Sequence, residues 1–415
     1  MSAFLIFLRG NARWVAAAFV LTFFSTIGQT SFIGGSAGHI RSEYGLSNGQ
    51  WGMVYMIGTL ASALTLPYLG AIVDRLTVRT VALIIAPMLA AATALMALSA
   101  HVVGLILTIY LLRLFGQGMF PHTAYTATAR WFTAQRGKAL SLVILGHNAG
   151  EAVLIAGFVA LSAAIGWRLG WLVLGVAVLV VALPLVMWLA AVERVPASTE
   201  INPRVVDARD WTRGEVLSDP IFYLSMLGFM APGFIVTVIF FHQVYLVELR
   251  GWSLGVFASA FVVWAGVNSL STLMTGYLID RFSGLSVIPF VLLPLGVASI
   301  LLGTMTAGWT PFLVMALLGA SSGAATTTLG SVLPEVYGLR HLGAIRALIV
   351  ATTVFATAAG PGITGYLIDV GVGYPAQLVT MGVYCFPVSL LMAFVARRVR
   401  ARTLPSKAVS DRPPG

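Results

Sequence analysis

The hydrophobic residues of this chain come in runs too long for a soluble fold. Twelve mainly apolar stretches follow one another, separated mostly by short polar loops. They fall at about 14–36, 48–70, 80–99, 102–130, 138–164 and 169–192, then 220–247, 254–276, 286–306, 309–336, 344–369 and 376–397. A helix needs roughly 20 residues, at about 1.5 Å each, to cross a hydrocarbon core about 30 Å thick. In lipid every backbone N–H and C=O must be bonded within the segment, so such runs become helices. The chain is 59% hydrophobic and 9% charged. Soluble domains carry about 25% charged residues, so lipid is the expected solvent for most of this surface. The predicted fold class is an all-α membrane protein.

Arginine and lysine set the orientation, because they favour the cytoplasmic side. With the N-terminus inside, 20 of the 24 Lys and Arg lie on the inner side. Only Arg41, Arg168 and Arg250 fall outside, and Arg113 lies within a span. Both termini are therefore expected in the cytoplasm of a multi-pass protein of the cell inner membrane. Met1–Gly10 does not read as a cleaved signal peptide, since Arg9 follows its apolar stretch instead of preceding it. The net charge of +10 is spread over loops and forms no basic face, so no nucleic-acid partner is expected. The single Cys385 permits neither an internal disulfide nor a Cys-rich metal site. No phosphate-binding glycine loop, nucleophile–base pair or metal set is present, so no enzyme activity, metal or cofactor is expected.

One loop occurs twice. Gly70-Ala-Ile-Val-Asp74-Arg75 returns as Gly276-Tyr-Leu-Ile-Asp280-Arg281, 206 residues later. Gln135-Arg-Gly137 and His341-Leu-Gly343 repeat at the same offset, and Arg130 and Glu335 end their spans 205 apart. Two six-helix halves of the same topology are predicted, a parallel repeat about an axis along the membrane normal. The N-terminal half is 1–192 and the C-terminal half 220–398. A polar cytoplasmic linker, 193–219, joins them, and 399–415 forms a cytoplasmic tail.

These features resemble the major facilitator superfamily. Its loop after the second span reads Gly-x-x-x-Asp-Arg/Lys-x-Gly-x-Arg-Arg. Here it reads Gly70-Ala-Ile-Val-Asp74-Arg75-Leu-Thr-Val-Arg79-Thr80, with Thr77 replacing the second Gly and Thr80 the last basic residue. The family's fourth span carries an Arg followed by Gln-Gly, matched by Arg113, Gln117 and Gly118. The resemblance implies twelve spans and transport by alternating access. It also implies a gate in which Asp74 faces the start of the eleventh span near Gly343, and Asp280 that of the fifth near Gly137. A helix N-terminus favours a carboxylate. Gly70, Asp74, Arg75, Arg79, Arg130, Gly276, Asp280, Arg281 and Glu335 are the gating candidates. Arg130-Trp-Phe-Thr-Ala-Gln-Arg-Gly-Lys-Ala also looks like the monocarboxylate and oxalate–formate branch. The fifth span lacks the Gly-Pro signature of the family's drug–proton antiporters.

Charges inside spans are costly and mark function. Arg113 lies about 11 residues from the outer end of its span and Glu151 about 13 from its own, so depth allows them to meet. Glu151 is the candidate proton carrier, or else a fixed partner for Arg113. His147 and His122 form a candidate second layer. The resemblance places the first, fourth, seventh and tenth spans around the cavity, which gives Gln29, Arg113, Gln117, His242 and Gln243 as substrate-binding candidates. Pro232-Gly233 predicts a break in the seventh span, and Gly360-Pro361-Gly362 a bend or close packing in the eleventh. For each polar residue, hydrogen bonding between helices is the competing role. One Arg and some His against one carboxylate lean toward proton-coupled movement of a small organic anion such as a monocarboxylate, by a monomer in the bilayer. The alternative is a proton-driven efflux antiporter for drugs or other lipophilic compounds.

Overall fold

A computed structural model describes residues 3–132, 136–192, 194, 210–338 and 341–403. Twelve of its helices are long and apolar enough to cross a membrane. Spans 1 to 6 are Arg9–Gly34, Asn48–Arg75, Val78–Leu98, Val102–Trp131, Lys138–Ile165 and Trp167–Leu189. Spans 7 to 12 are Pro220–Phe241, Leu254–Phe282, Gly284–Thr304, Thr310–Tyr337, Ile345–Asp369 and Tyr374–Arg402. No strand occurs among the described residues. The all-α membrane class and the twelve spans expected from hydropathy are present. Span 7 ends earlier than its apolar run, and span 12 continues past it as an arginine-rich helix. Twelve crossings bring both chain ends to one end of the bundle, the terminus end; the other is the far end.

The repeat is visible in the backbone. Short helices Ala37–Tyr44 and Gln243–Arg250 follow spans 1 and 7 at the far end. They stop at Gly45 (φ 62°) and Gly251 (φ 66°), 206 residues apart. Gly166 (φ 85°) and Gly371 (φ 91°) turn the chain into spans 6 and 12, 205 residues apart. Only glycine enters this left-handed region without steric cost.

The halves are locked together at the far end. Lipid supplies no hydrophobic drive between helices, so close approach depends on small residues. A Cβ at Gly52 of span 2 would collide with the Pro361 carbonyl oxygen of span 11. One at Gly365 would collide with the Asn48 carbonyl. Asp369 accepts from the Ser47 hydroxyl at 2.5 Å and from the Gly49 N–H at 2.9 Å. Trp51 stacks on Phe241 at 5.4 Å, and the Arg41 guanidinium lies 5.8 Å over the Tyr245 ring. Span 11 stays helical through Gly360-Pro361-Gly362, so that motif serves close packing. At the terminus end, Asp74, Arg75, Asp280 and Arg281 are exposed.

Of the expected linker, 193 and 195–209 lie outside the described residues, as do 404–415 of the expected tail. So does Gln135, together with the side-chain surroundings of Gly137 and Gly343. From Asp210 the linker docks on the C-terminal half. The Trp211 N–H donates to the Tyr337 carbonyl at 3.0 Å, and a Thr212–Glu215 capping box starts the helix Arg213–Ser218. Arg402 pairs with Asp219 at 2.8 Å.

Candidate functional site: a broken span and a cavity between the halves

Span 1 is not one continuous helix. The α-helix Ala3–Phe24 gives way to a 3-10 turn, Ser25–Gly28. Gln29 is extended (φ −78°, ψ 154°), and the helix resumes over Thr30–Gly34. Facing the break, span 4 is π-helical over Leu112–Met119. The two irregular segments touch backbone to backbone, with Gly28 against the Leu112 carbonyl and Gly116 against Gly28. π-Helical turns cost hydrogen-bond geometry and recur at functional sites. A break frees backbone groups and hydroxyls at mid-membrane, where they must find partners.

Those partners are the intramembrane charges. Arg113 projects from the π-helical turn and is 3% exposed. Its Nη1 donates to the Thr30 hydroxyl at 3.2 Å and to the Gly28 carbonyl at 3.4 Å. The guanidinium lies 5.3 Å over the Tyr55 ring, and Tyr55 and Thr30 share a 2.5 Å hydrogen bond. Glu151 of span 5 is 4% exposed, and its Oε1 accepts from the Ser31 hydroxyl at 2.6 Å. Glu151 Oε2 and Arg113 Nε are buried without hydrogen-bond partners among the described residues. The Ser31 carbonyl accepts from the Gln243 amide of the opposite half at 2.6 Å.

The reading of Glu151 as a fixed partner for Arg113 is therefore corrected. Among the described residues no hydrogen bond or ion pair joins them. Matching depth brought both to the level of the break, where span 1 supplies a separate partner to each, Thr30 to Arg113 and Ser31 to Glu151.

A cavity of about 410 Å³ lies beside this network. The N-terminal half contributes Gln117 and His147. The C-terminal half contributes most of the wall, from Phe229, Pro232 and Val236 of span 7 to Val291 and Leu292 of span 9. Thr237, Ser322, Thr326, Thr328 and Thr353 add hydroxyls. His147 sits one helical turn from Glu151, at i and i+4 of the same helix.

Other candidates lie elsewhere. Gln29 is half-buried at the break. His242 and Gln243 do not line this cavity, a second correction. Span 7 stays helical through Pro232-Gly233 and turns only at His242 (φ −90°, ψ 17°). That turn aims Gln243 at Ser31 and packs His242 against Tyr374, its Nε2 3.3 Å from the Pro361 carbonyl. His122 faces Gly70 while His147 faces the cavity, so the expected second layer is not formed. The carboxylates of Asp74 and Asp280 make no hydrogen bond among the described residues, and Asp74, Asp280 and Arg79 are exposed. Arg130 Nη2 is buried without a partner among the described residues, Glu335 accepts from the Gly284 N–H at 3.1 Å, and Gly276 faces open space. Tyr55 and Thr353 escaped the sequence reading. Thr353 carried a signal, standing 206 residues after His147; Tyr55 carried none.

The sequence profile of the Major Facilitator Superfamily matches residues 18–345. The chain belongs to that superfamily. This facilitator is thus a multi-pass membrane transporter. Among solved structures it is similar to a bacterial homolog of the human lysosomal transporter Spinster, in an inward-facing and unoccupied conformation. Identity there is 16%, the TM-score is 0.73, and the match covers 95% of this chain and 99% of that one. An inward-facing and occupied form of such a homolog matches at 17% identity and TM-score 0.67, over 94% and 96% of the two chains. At these identities the likeness shows the shared fold. No curated protein sequence matches the chain.

Proposed function

We propose that this facilitator moves an organic anion with an apolar body, coupled to protons, by rocking its halves about the central cavity. The observation that carries the reading is the adjacency of His147, on the cavity wall, to the buried Glu151 one turn away. A His beside neutral donors suits an anionic head group, with Gln117 and the Thr237 hydroxyl as further donors. The apolar wall suits the body of the substrate. A volume of about 410 Å³ lies within the usual range of small-molecule sites. Glu151, with one oxygen bonded and one bare, is the proton site. Arg113 holds the broken span in register through Thr30 and Gly28.

With the terminus end in the cytoplasm, the far-end closure makes this an inward-facing form, like the two solved neighbours. Asp74 and Asp280 then belong to an inner clasp that is open here and closes in the opposite state. One observation favours the efflux reading as well: most of the wall is apolar and Arg113 stands behind the network. A thermal-shift screen of purified protein separates the two, because ligands that bind the folded state raise its apparent stability. Stabilisation by carboxylates, with uptake in proteoliposomes driven by an inward proton gradient, is the expected result. Stabilisation by lipophilic cations alone overturns the anion.

A further inference from the structure

Ser31 belongs to both halves of the mechanism. Its hydroxyl donates to Glu151 at 2.6 Å, and its carbonyl accepts from Gln243 at 2.6 Å. It is 1% exposed and stands two residues past the extended Gln29. Three residues further, Gly34 presses on the Phe240 carbonyl of span 7. The helix Thr30–Gly34 is thus short, separated from the rest of span 1 by the break, and bonded to the proton site by one group and to the opposite half by another.

We propose that Ser31 is a positioning residue that links the protonation of Glu151 to closure of the far end. This rests on the reading of Glu151 as the proton site. With a proton on Oε2, Oε1 still accepts from Ser31 and the site carries no net charge. The helix Thr30–Gly34 is then held where its carbonyl meets Gln243. Loss of that proton to water leaves a carboxylate whose sole donor among the described residues is one hydroxyl. A buried charge so poorly bonded is costly, and parting the far end lets water in to solvate it. Ser31, bonded to the carboxyl and to Gln243 at once, turns that change into separation of the halves.

The other groups around Glu151 are few. His147 lies one turn away on span 5. Arg113 and Tyr55 meet span 1 at Thr30, next to Ser31. Span 4 also carries His122, Tyr125 and Arg130, all nearer the terminus end. Span 1 otherwise offers Arg9 and Arg13, and span 8 Asp280 and Arg281, at the terminus end; span 6 offers Arg168 at the far end.

The test places spin labels at the far end, on Leu98→Cys and Trp309→Cys, both exposed and in different halves. The buried Cys385 is replaced by Ala. Electron–electron distances in nanodiscs are compared at about pH 4 and about pH 8, from the ordinary Glu value upward. In an otherwise wild-type background the distribution is expected to lengthen at the higher pH. Glu151→Gln should fix it in the short form. Ser31→Ala should remove the pH response, and Ser31→Thr, which keeps the hydroxyl, should restore it. A full response in Ser31→Ala overturns this inference and leaves the proton site standing. A full response in Glu151→Gln, or none in the wild type, overturns both. If Ser31→Thr fails to restore a response lost in Ser31→Ala, the hydroxyl is not the link.

Discussion

Spans 1 and 7 hold matching places in the two halves, yet span 1 breaks at Ser25–Gln29 and span 7 runs helical to Phe241. Gly28 of the break corresponds to Phe234, 206 residues on. At the same offset Arg113 becomes Gly319, Gln117 becomes Gly323 and Glu151 becomes Thr357. The glycines let span 10 press on span 8. A Cβ at Gly319 would lie 2.6 Å from the Trp264 carbonyl, and one at Gly323 2.5 Å from that of Asn268. The C-terminal half uses these positions for backbone packing and gives the cavity its apolar wall. The N-terminal half uses them for a polar network around a broken helix. The lesson is that a duplicated frame keeps its turns, such as Gly45 and Gly251, while its mid-membrane positions specialise.

Exchanging matched residues tests this directly. Glu151→Gln should abolish proton-driven uptake in proteoliposomes while leaving equilibrium ligand binding measurable. Thr357→Val removes a hydroxyl that, among the described residues, bonds only to Val354 of its own helix, at 2.8 Å. Such a bond contributes about 1 kcal/mol or less, so uptake should change by no more than a few-fold. Equal losses in the two variants would mean that the halves are not specialised as argued.

The seam and the repeated loop form a second contrast. Gly52→Ala drives a methyl into the Pro361 carbonyl, a backbone atom that cannot rotate aside. Overpacking of this kind costs about 1–3 kcal/mol, and it falls on the closed far end. The Leu98–Trp309 label distance should lengthen at every pH. Gly276→Ala, in the other half, meets open space inside a helix. Alanine there should raise thermal stability by up to about 1 kcal/mol and leave label distances alone. A lengthened distance in Gly276→Ala would show the second loop copy to be under constraint after all.

Much of the architecture is legible in the sequence. Hydropathy gives the spans because lipid leaves the backbone no other choice. The cost of an intramembrane charge singles out Arg113 and Glu151 by their places within apolar runs. Their partners are not legible, because depth along a helix says nothing of the direction a side chain faces. The break in span 1 depends on Gly28 meeting Gly116, a contact between residues 88 apart. Local sequence pointed instead to Pro232-Gly233, where the helix holds. His242 and Gln243 were legible as unusual polar residues in span 7, but only the turn at His242 shows that they belong to the far-end seam.

The smallest expected effect lies at the far end of the N-terminal half. Arg168 donates to Glu43 at 2.6 Å and to the Ser99 carbonyl at 2.9 Å, tying the helix Ala37–Tyr44 to spans 3 and 6. Position 249, the counterpart of Glu43, is Leu. The C-terminal half instead uses neutral acceptors, with Arg250 donating to the Leu302 carbonyl at 2.7 Å. The hydrogen bond from Arg168 holds the Glu43 carboxyl below its ordinary value of 4.5. A lowered carboxylate adds stability that is present above the unfolded value and is lost as pH falls through the folded one. The pair is about half exposed on the Glu43 side, so its contribution is under about 1 kcal/mol. Glu43→Gln should lower the melting temperature slightly at neutral pH and not at all once the pH is below the lowered value of the folded carboxyl. The melting curve of Arg250→Gln should shift equally at both pH values, since its acceptor does not titrate. A pH-dependent difference in the Arg250 variant would break the contrast between a charged latch in one half and a neutral one in the other.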